Sequence, residues 1–198
     1  RKLELQGEQN LGCAPLPWVI PHPKGMLTNK KTHLFHSNVS HYELIRDLNR
    51  QWREWTIDEP AIFISFNGIF FDEERIRREF YWNLFESYLT NTNGNSRLDI
   101  LLMMHNVAAF FPNLLNIPLH DGGPGISLKQ EHIAAANGIE IADAHDAIGD
   151  CKLMIALMSM IDAKKPELIN FFLNISSKAG VQAAVQEPGF LGLGEVFK

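Results

Sequence analysis

Two stretches of the chain carry residues able to do chemistry together: Asn67-Gly68-Ile69-Phe70-Phe71-Asp72 and Ala144-His145-Asp146-Ala147-Ile148-Gly149-Asp150. The first sets a carboxylate just past an apolar, strand-like run. The second sets a histidine five residues ahead of a further carboxylate, at what reads as the start of a helix. Carboxylates and one imidazole drawn from distant parts of a chain are the parts used in metal-assisted hydrolysis of a phosphodiester. On a strand-to-helix turn, Asp72 would project past the end of a sheet, where oxygen ligands can hold a hard cation. A helix N-cap is the competing role for such an aspartate. Positions five apart on a regular helix diverge by about 140°, so His145 and Asp150 share a target only if His145 sits at the helix start. The positive end of that helix disfavours imidazolium and favours a neutral base.

These side chains need a frame. Ala61-Ile62-Phe63-Ile64-Ser65-Phe66 is short, aromatic and β-branched, and reads as a buried strand. Asn67-Gly68 supplies the turn behind it. A helix is expected over 72–89, with Ile76, Phe80, Leu84 and Phe85 inward and Asp72, Glu73 and Glu74 at its positive end. Upstream, Pro15, Pro17, Pro21 and Pro23 make residues 1–36 an irregular segment. Ser40 and Glu43 form a capping box. Behind it Tyr42, Ile45, Leu48, Trp52 and Trp55 mark an apolar stripe at helical spacing, with Arg46, Arg50 and Arg53 off it.

Downstream, 91–95 reads as a polar loop and Asp99 as the cap of a helix through Leu101, Leu102 and Val107. Residues 112–126 are a loop, and Ser127 with Gln130 caps a short helix ended by Gly138. A run over 146–163 carries Ile148, Leu153, Ile155, Met158 and Ile161 on its apolar side, and Pro166 starts one more helix. The segment past Gly180 is Gly-rich and weakly patterned. A lone buried strand needs a sheet to join. The economical architecture is α/β, a mixed sheet flanked by helices and incomplete at the N-terminus.

The 198 residues fit one domain, and 45% hydrophobic with 21% charged residues excludes a disordered or fibrous chain. A formal charge of −5 gives no bulk attraction for nucleic acid, though basic residues can still hold phosphates locally. Two cysteines, Cys13 and Cys151, without paired metal-binding spacing suggest a reduced, cytoplasmic compartment. The apolar run 61–71 is too short for a membrane span, and no secretory signal follows Arg1. The chain is expected to begin inside a longer protein. His22, His33, His36 and His41, with Lys24, Lys30 and Lys31, read as solvated loop residues. Met103, Met104, Met154, Met158 and Met160 read as core filling, and packing is expected of Trp52, Trp55 and Trp82.

Asn67-x-x-x-Phe71-Asp72 resembles the second motif of the DEDD exonucleases, and His145-Asp146-Ala147-x-x-Asp150 the third motif of their histidine-containing branch. With the intervening Asn95-Ser96-Arg97-Leu98-Asp99 and the segment from Ser127 to Glu140, the chain is similar to the bacterial exonuclease I family from about Cys13 to Asn174. That resemblance implies a ribonuclease H-like exonuclease fold and 3′→5′ hydrolysis of single-stranded DNA to 5′-mononucleotides. It implies two Mg²⁺ ions, with Mn²⁺ as a substitute, about 3.5–4 Å apart. It makes Asp72 and Asp150 metal ligands, His145 the general base, and Asn67 and Phe71 substrate-side residues. Single-stranded DNA and single-stranded-DNA-binding protein are the implied partners, with no membrane and a monomeric state. The family's first motif, an Asp-x-Glu that supplies two more ligands, has no counterpart here, because the only such pattern is Asp72-Glu73-Glu74. Residues 1–180 are therefore expected to be a partial exonuclease domain and 181–198 a tail or linker, with weak or no turnover by this piece alone. Two other readings stay open: a histidine–aspartate phosphohydrolase recruiting His105, His132 or Asp162, and a non-catalytic nucleic-acid-binding or interaction module.

Overall fold

The computed structural model describes residues 5–29, 31–140 and 147–187. In chain order the elements are α1 (Pro23–Asn29), α2 (His41–Trp55), β1 (Ile62–Ser65), α3 (Asp72–Trp82), β2 (Ser96–Asp99), α4 (Ile100–Phe110), α5 (Gln130–Ala136), α6 (Ala147–Lys164), α7 (Pro166–Asn174) and α8 (Lys178–Gln186). The two strands pair in parallel, Ile62 against Ser96 through Ser65 against Asp99, so both end at one edge. Among the described residues the sheet is this parallel pair, flanked by helices as the α/β expectation requires.

Alternation along β1 explains how helices cover both faces. Ile62 and Ile64, with Phe66 beyond them, pack on a core of β2, α4, α5, α6 and α7 centred on Met103, Met104, Ile133, Leu157 and Ile161. Phe63 turns the other way, its ring 5.0 Å from that of Trp52 on α2. There Ile45, Phe80 and Leu89 form a smaller core with α3. The strand is only half-buried along its whole length, not fully buried as its composition suggests. Its edge away from β2 has no strand partner among the described residues.

Local chemistry sets most of the boundaries. The Ser40–Glu43 capping box opens α2: the Glu43 amide donates to Ser40 Oγ at 3.2 Å and the Ser40 amide to Glu43 Oε2 at 2.8 Å. Ile45 and Trp52 pack as the stripe predicts, but Tyr42 and Trp55 at its flanks are exposed. Trp82 is exposed too, because it ends α3 beyond the small core, and Ile155 lies off the buried side of α6. The methionines fill space as expected, three of them fully packed in the larger core. Pro23 is compatible with α1 as its first residue, a position that needs no amide hydrogen, so the irregular segment holds a short helix after all. α8 runs past Gly180 because Ser177 accepts the Gly180 amide at 3.1 Å and good helix formers follow. Ser127, expected to cap α5, instead bonds His132 Nδ1 at 2.8 Å.

The largest departure is α3, which stops at Trp82 instead of reaching residue 89. The Phe85 amide donates to the Phe80 carbonyl at 2.8 Å and the Leu84 amide to the Tyr81 carbonyl at 3.1 Å. That pair of bonds is the Schellman termination. Phe85 then folds back so that its ring lies 6.4 Å from that of Phe80. The geometry requires a left-handed residue at position 84, and Leu84 supplies it at φ +62° while 93% exposed. Leu84 was expected to face inward; the turn that buries Phe85 turns it out. A leucine in this conformation is strained by about 1 kcal/mol. Leu84→Gly is therefore expected to raise stability by about 1 kcal/mol, seen as a higher urea midpoint at unchanged m-value. A lower midpoint would show that Leu84 makes a contact that outweighs its strain.

Candidate functional site

Parallel pairing places Ser65 beside Asp99, so the turn that leaves β1 lies over the last residue of β2. Asp99 is 3% exposed. Its carboxylate accepts the Asn67 amide at 2.7 Å, the Ile69 amide at 3.3 Å and, as the cap of α4, the Leu101 amide at 3.0 Å. Asn67 takes a left-handed conformation, φ +59°, which asparagine tolerates better than most residues. Gly68 follows because nothing larger fits. A Cβ there would run into the Ser65 side chain and sit 2.8 Å from Asp72 Oδ2. The Gly68 carbonyl then accepts the Phe71 and Glu73 amides at 3.2 and 2.9 Å, and α3 begins with Asp72 in its first turn.

The chain returns to this edge through α6. Asp72 and Asp150 both line one cavity of about 420 Å³, together with Ser65, Phe66, Gln130 and Cys151. The Gln130 side-chain amide donates to the Asp150 backbone carbonyl, tying the start of α5 to the first turn of α6. Asp150 also borders an adjoining cleft of about 680 Å³ that includes Asn67, His105, His120 and Lys129. The electrostatics agree with this convergence. Burial pushes the Asp72 carboxyl above its ordinary value; Arg75 opposes the shift, while Asp99 and Glu73 add to it. The Cys151 thiol is raised as well, first by desolvation and then by the charges of Asp150, Asp72 and Glu8.

Asp72 and Asp150, 78 residues apart in sequence, are thus brought to one cavity. Asn67 stands at the turn and on the adjoining cleft. Phe71 is at the N-cap of α3, 54% exposed, with the Arg75 guanidinium 4.3 Å above its ring. His145 and Asp146 lie outside the described residues. The neighbouring acids part ways: Glu73 turns inward to Thr90 Oγ1 at 2.8 Å and Arg97 Nη1 at 3.3 Å, whereas Glu74 pairs outward with Arg78 at 2.7 Å. Asp72-Glu73-Glu74 therefore does not act as an Asp-x-Glu ligand pair, because its two outer carboxylates serve different surfaces.

Gln130 and His120 were not singled out as site residues from sequence, and His105 only as a ligand in the histidine–aspartate phosphohydrolase reading; nothing local marks a residue whose role comes from another helix. Asp99 was read only as a helix cap, and its spacing from Asn67 carries no periodic signal. Among the described residues, no group of three or more His, Cys, Asp or Glu side chains is arranged to hold a metal ion. The fit to a divalent cation is partial. Two carboxylates share a cavity, burial and the charges of Asp99 and Glu73 raise Asp72, and Gly68 leaves the Asp72 oxygen unobstructed. The ligands that a histidine–aspartate phosphohydrolase would recruit do not gather: His132 is engaged by Ser127, and His105 stands on the cleft without Asp162.

The raised Asp72 carboxyl fixes the sign of a pH effect. A folded-state value above the unfolded one makes ionised Asp72 destabilising at neutral pH, a cost that fades as pH falls toward the ordinary carboxylate value. Asp72→Asn is expected to raise the melting temperature in EDTA at neutral pH, with the gain closing on acidification. A neutral-pH melting temperature below wild type would contradict the crowding of charge at this site.

No family model matches the chain. It is 32% identical over 135 residues to exodeoxyribonuclease I of Escherichia coli (strain K12), covering 68% of this chain and 28% of that protein. It is 30% identical over 178 residues to exodeoxyribonuclease I of Buchnera aphidicola subsp. Baizongia pistaciae, covering 87% and 36%. The crystal structure of E. coli exonuclease I in complex with a dA16 oligonucleotide superposes with a TM-score of 0.77 at 26% identity, over 87% of this chain and 36% of that one. Similar solved structures include a zinc-bound E. coli exonuclease I–single-stranded DNA complex (TM-score 0.71, 25% identity, 82% and 34% covered) and an SSB/exonuclease I structure with an inhibitor (0.71, 26%, 82% and 35%). The chain thus spans roughly a third of the length of the relatives it matches, and the described helices and parallel strands fit the ribonuclease H-like fold. On this identity and shared fold, the chain belongs to the exonuclease I family.

Proposed function

We propose that the whole protein carrying this chain is a metal-dependent 3′→5′ exonuclease that hydrolyses single-stranded DNA to 5′-mononucleotides. The observation that supports this reading most is the cavity shared by Asp72 and Asp150, at the carboxyl edge of a parallel strand pair. Ligand sites in α/β sheets favour that edge.

When bound, divalent cations supply the positive charge that stabilises the attacking and leaving oxygens at a phosphate. Asp72 and Asp150 would hold them, with Mg²⁺ as the proposed ion and Mn²⁺ as a substitute. His145 is proposed to accept the proton of the attacking water. Asn67 and Phe71 would border the strand on the turn side, where Phe71 exposes ring surface suited to sequence-tolerant stacking. The two carboxylates are half the set the family resemblance implies, so this chain alone is proposed to turn over weakly or not at all.

Single-stranded DNA is the proposed partner, with single-stranded-DNA-binding protein as a second, by analogy with the relatives. Both cysteines are free, which suits a reducing compartment, and we assign the protein to the cytoplasm as a monomer. No helix among the described residues is long and apolar enough to cross a membrane. Residues 1–180 are assigned to a partial exonuclease domain and 181–198 to a tail. A second reading, strand binding without turnover, applies if the whole protein lacks the two further carboxylates that the family resemblance implies.

In the whole protein, Asp150→Asn is expected to cut hydrolysis of a 5′-labelled oligonucleotide by about 10³-fold or more, the loss of several kcal/mol of charge stabilisation. Its circular dichroism should stay unchanged. Wild-type turnover in that variant would remove Asp150 from the ligand set. A whole protein that binds the strand but never shortens it in Mg²⁺ or Mn²⁺ would establish the second reading.

A further inference from the structure

α3 carries three arginines, Arg75, Arg77 and Arg78, and the structure treats them differently. Arg78 is held by Glu74 at 2.7 Å, and Arg77 lies 4.0 Å from the same carboxylate with its guanidinium 5.5 Å from the Tyr88 ring centroid. Arg97, on the neighbouring strand, is held by Glu73 at 3.3 Å. Arg75 is exposed, has no carboxylate within ion-pair distance among the described residues, and rests 4.3 Å over the half-exposed Phe71 ring. Residues 71 and 75 are four apart on one helix face, and Asp72 lies between them, three before Arg75. A cation and an aromatic ring are thus held together directly beside the carboxylate that borders the cavity.

We propose that Arg75, seated on Phe71, is a positioning residue that takes a backbone phosphate of a single strand at the mouth of the Asp72–Asp150 cavity. The inference rests on the nuclease reading of that cavity. Its chemistry follows from the pair itself. A guanidinium is weakly hydrated and planar, so it can stay stacked on a ring while its outer N–H groups bind phosphate oxygens. The remaining Phe71 surface suits a nucleobase, which presents a π-face whatever its identity. A nucleic acid strand offers phosphate and base side by side, whereas an acidic peptide offers no base, which is why the peptide fits less well. Arg75 also offsets the charge of Asp72, lowering the repulsion that an incoming phosphate meets.

The test is fluorescence anisotropy of a labelled oligothymidylate against the whole protein carrying this chain, in EDTA and across a salt series. Arg75→Ala is expected to weaken binding about fivefold and to lower the slope of log K against log [salt] by about 0.7, one phosphate contact on a single strand. Arg75→Lys keeps the charge and should retain the slope while losing part of the affinity. A purely structural role would shift the melting temperature and leave the slope alone. An unchanged slope in Arg75→Ala, with wild-type binding intact, overturns the role of Arg75 and leaves the nuclease reading standing. A whole protein that binds no single strand at low salt overturns both.

Discussion

A single buried carboxylate, that of Asp99, fixes the relation between the two strands and the helices that leave them. It accepts amides from the turn after β1 and from the first turn of α4, so one side chain holds two chain segments 32 and 34 residues apart at one point. Bonds from backbone N–H groups to an ionised acceptor are among the stronger hydrogen bonds, and each donor left unpaired on burial costs about 1–3 kcal/mol. The constraint also protects register. A one-residue slip of β1 against β2 would move Ser65 off Asp99, strand the Asn67 and Ile69 amides and swap the faces that meet Trp52 and the larger core. The same group that builds the turn also loads the site with negative charge, since Asp99 helps raise the Asp72 carboxyl. Stability of the turn and appetite of the cavity for positive charge have one origin.

Everything else at the site is delivery. α6 must enter the edge of the sheet with its first turn, and its buried Leu157, Met158 and Ile161 anchor it in the larger core with α4 and α7 so that Asp150 and Asp72 line one cavity. Gln130 pins the same turn from α5. On the opposite face, Trp52 and Phe80 hold α3, whose first residue is Asp72. The two carboxylates therefore come from helices packed on opposite faces of the strand pair, and the cavity between them depends on both cores.

Much of this frame was legible in the sequence because its signals are local. The Ser40–Glu43 capping box, Asp99 as a cap, Pro166 at a helix start and the Asn67-Gly68 turn each follow from a side chain acting within four residues of itself. What escaped was non-local. Ser96–Asp99 is a strand only because Ile62–Ser65 pairs with it, and its polar Ser96 and Arg97 give no β pattern. The end of α3 depends on Phe85 folding back onto Phe80, a tertiary contact that overrides the helical spacing of Leu84. Ser127 looked like a cap until His132 claimed its hydroxyl. At the site, Asp72 and Asp150 were visible as motif positions, whereas the Gln130 tether and the histidines on the adjoining cleft required the fold.

The charge distribution carries the last step. The chain has a formal charge of −5, and the cavity concentrates negative charge where a phosphodiester would have to approach. At about 4 Å, two like charges near a protein surface repel by about 4 kcal/mol, so such a site works only if positive charge is supplied at the same place. A bound cation answers that need at the reacting phosphate but not along the rest of a strand. Around β1 and α3, Glu74 and Glu73 occupy Arg78 and Arg97 and leave those cations little to offer a ligand. Arg75 is the arginine of α3 that the fold leaves poised on an aromatic ring, beside the first carboxylate of the site. Acidic partners thus occupy Arg78 and Arg97 and leave Arg75 beside the cavity, where the proposed strand would need positive charge.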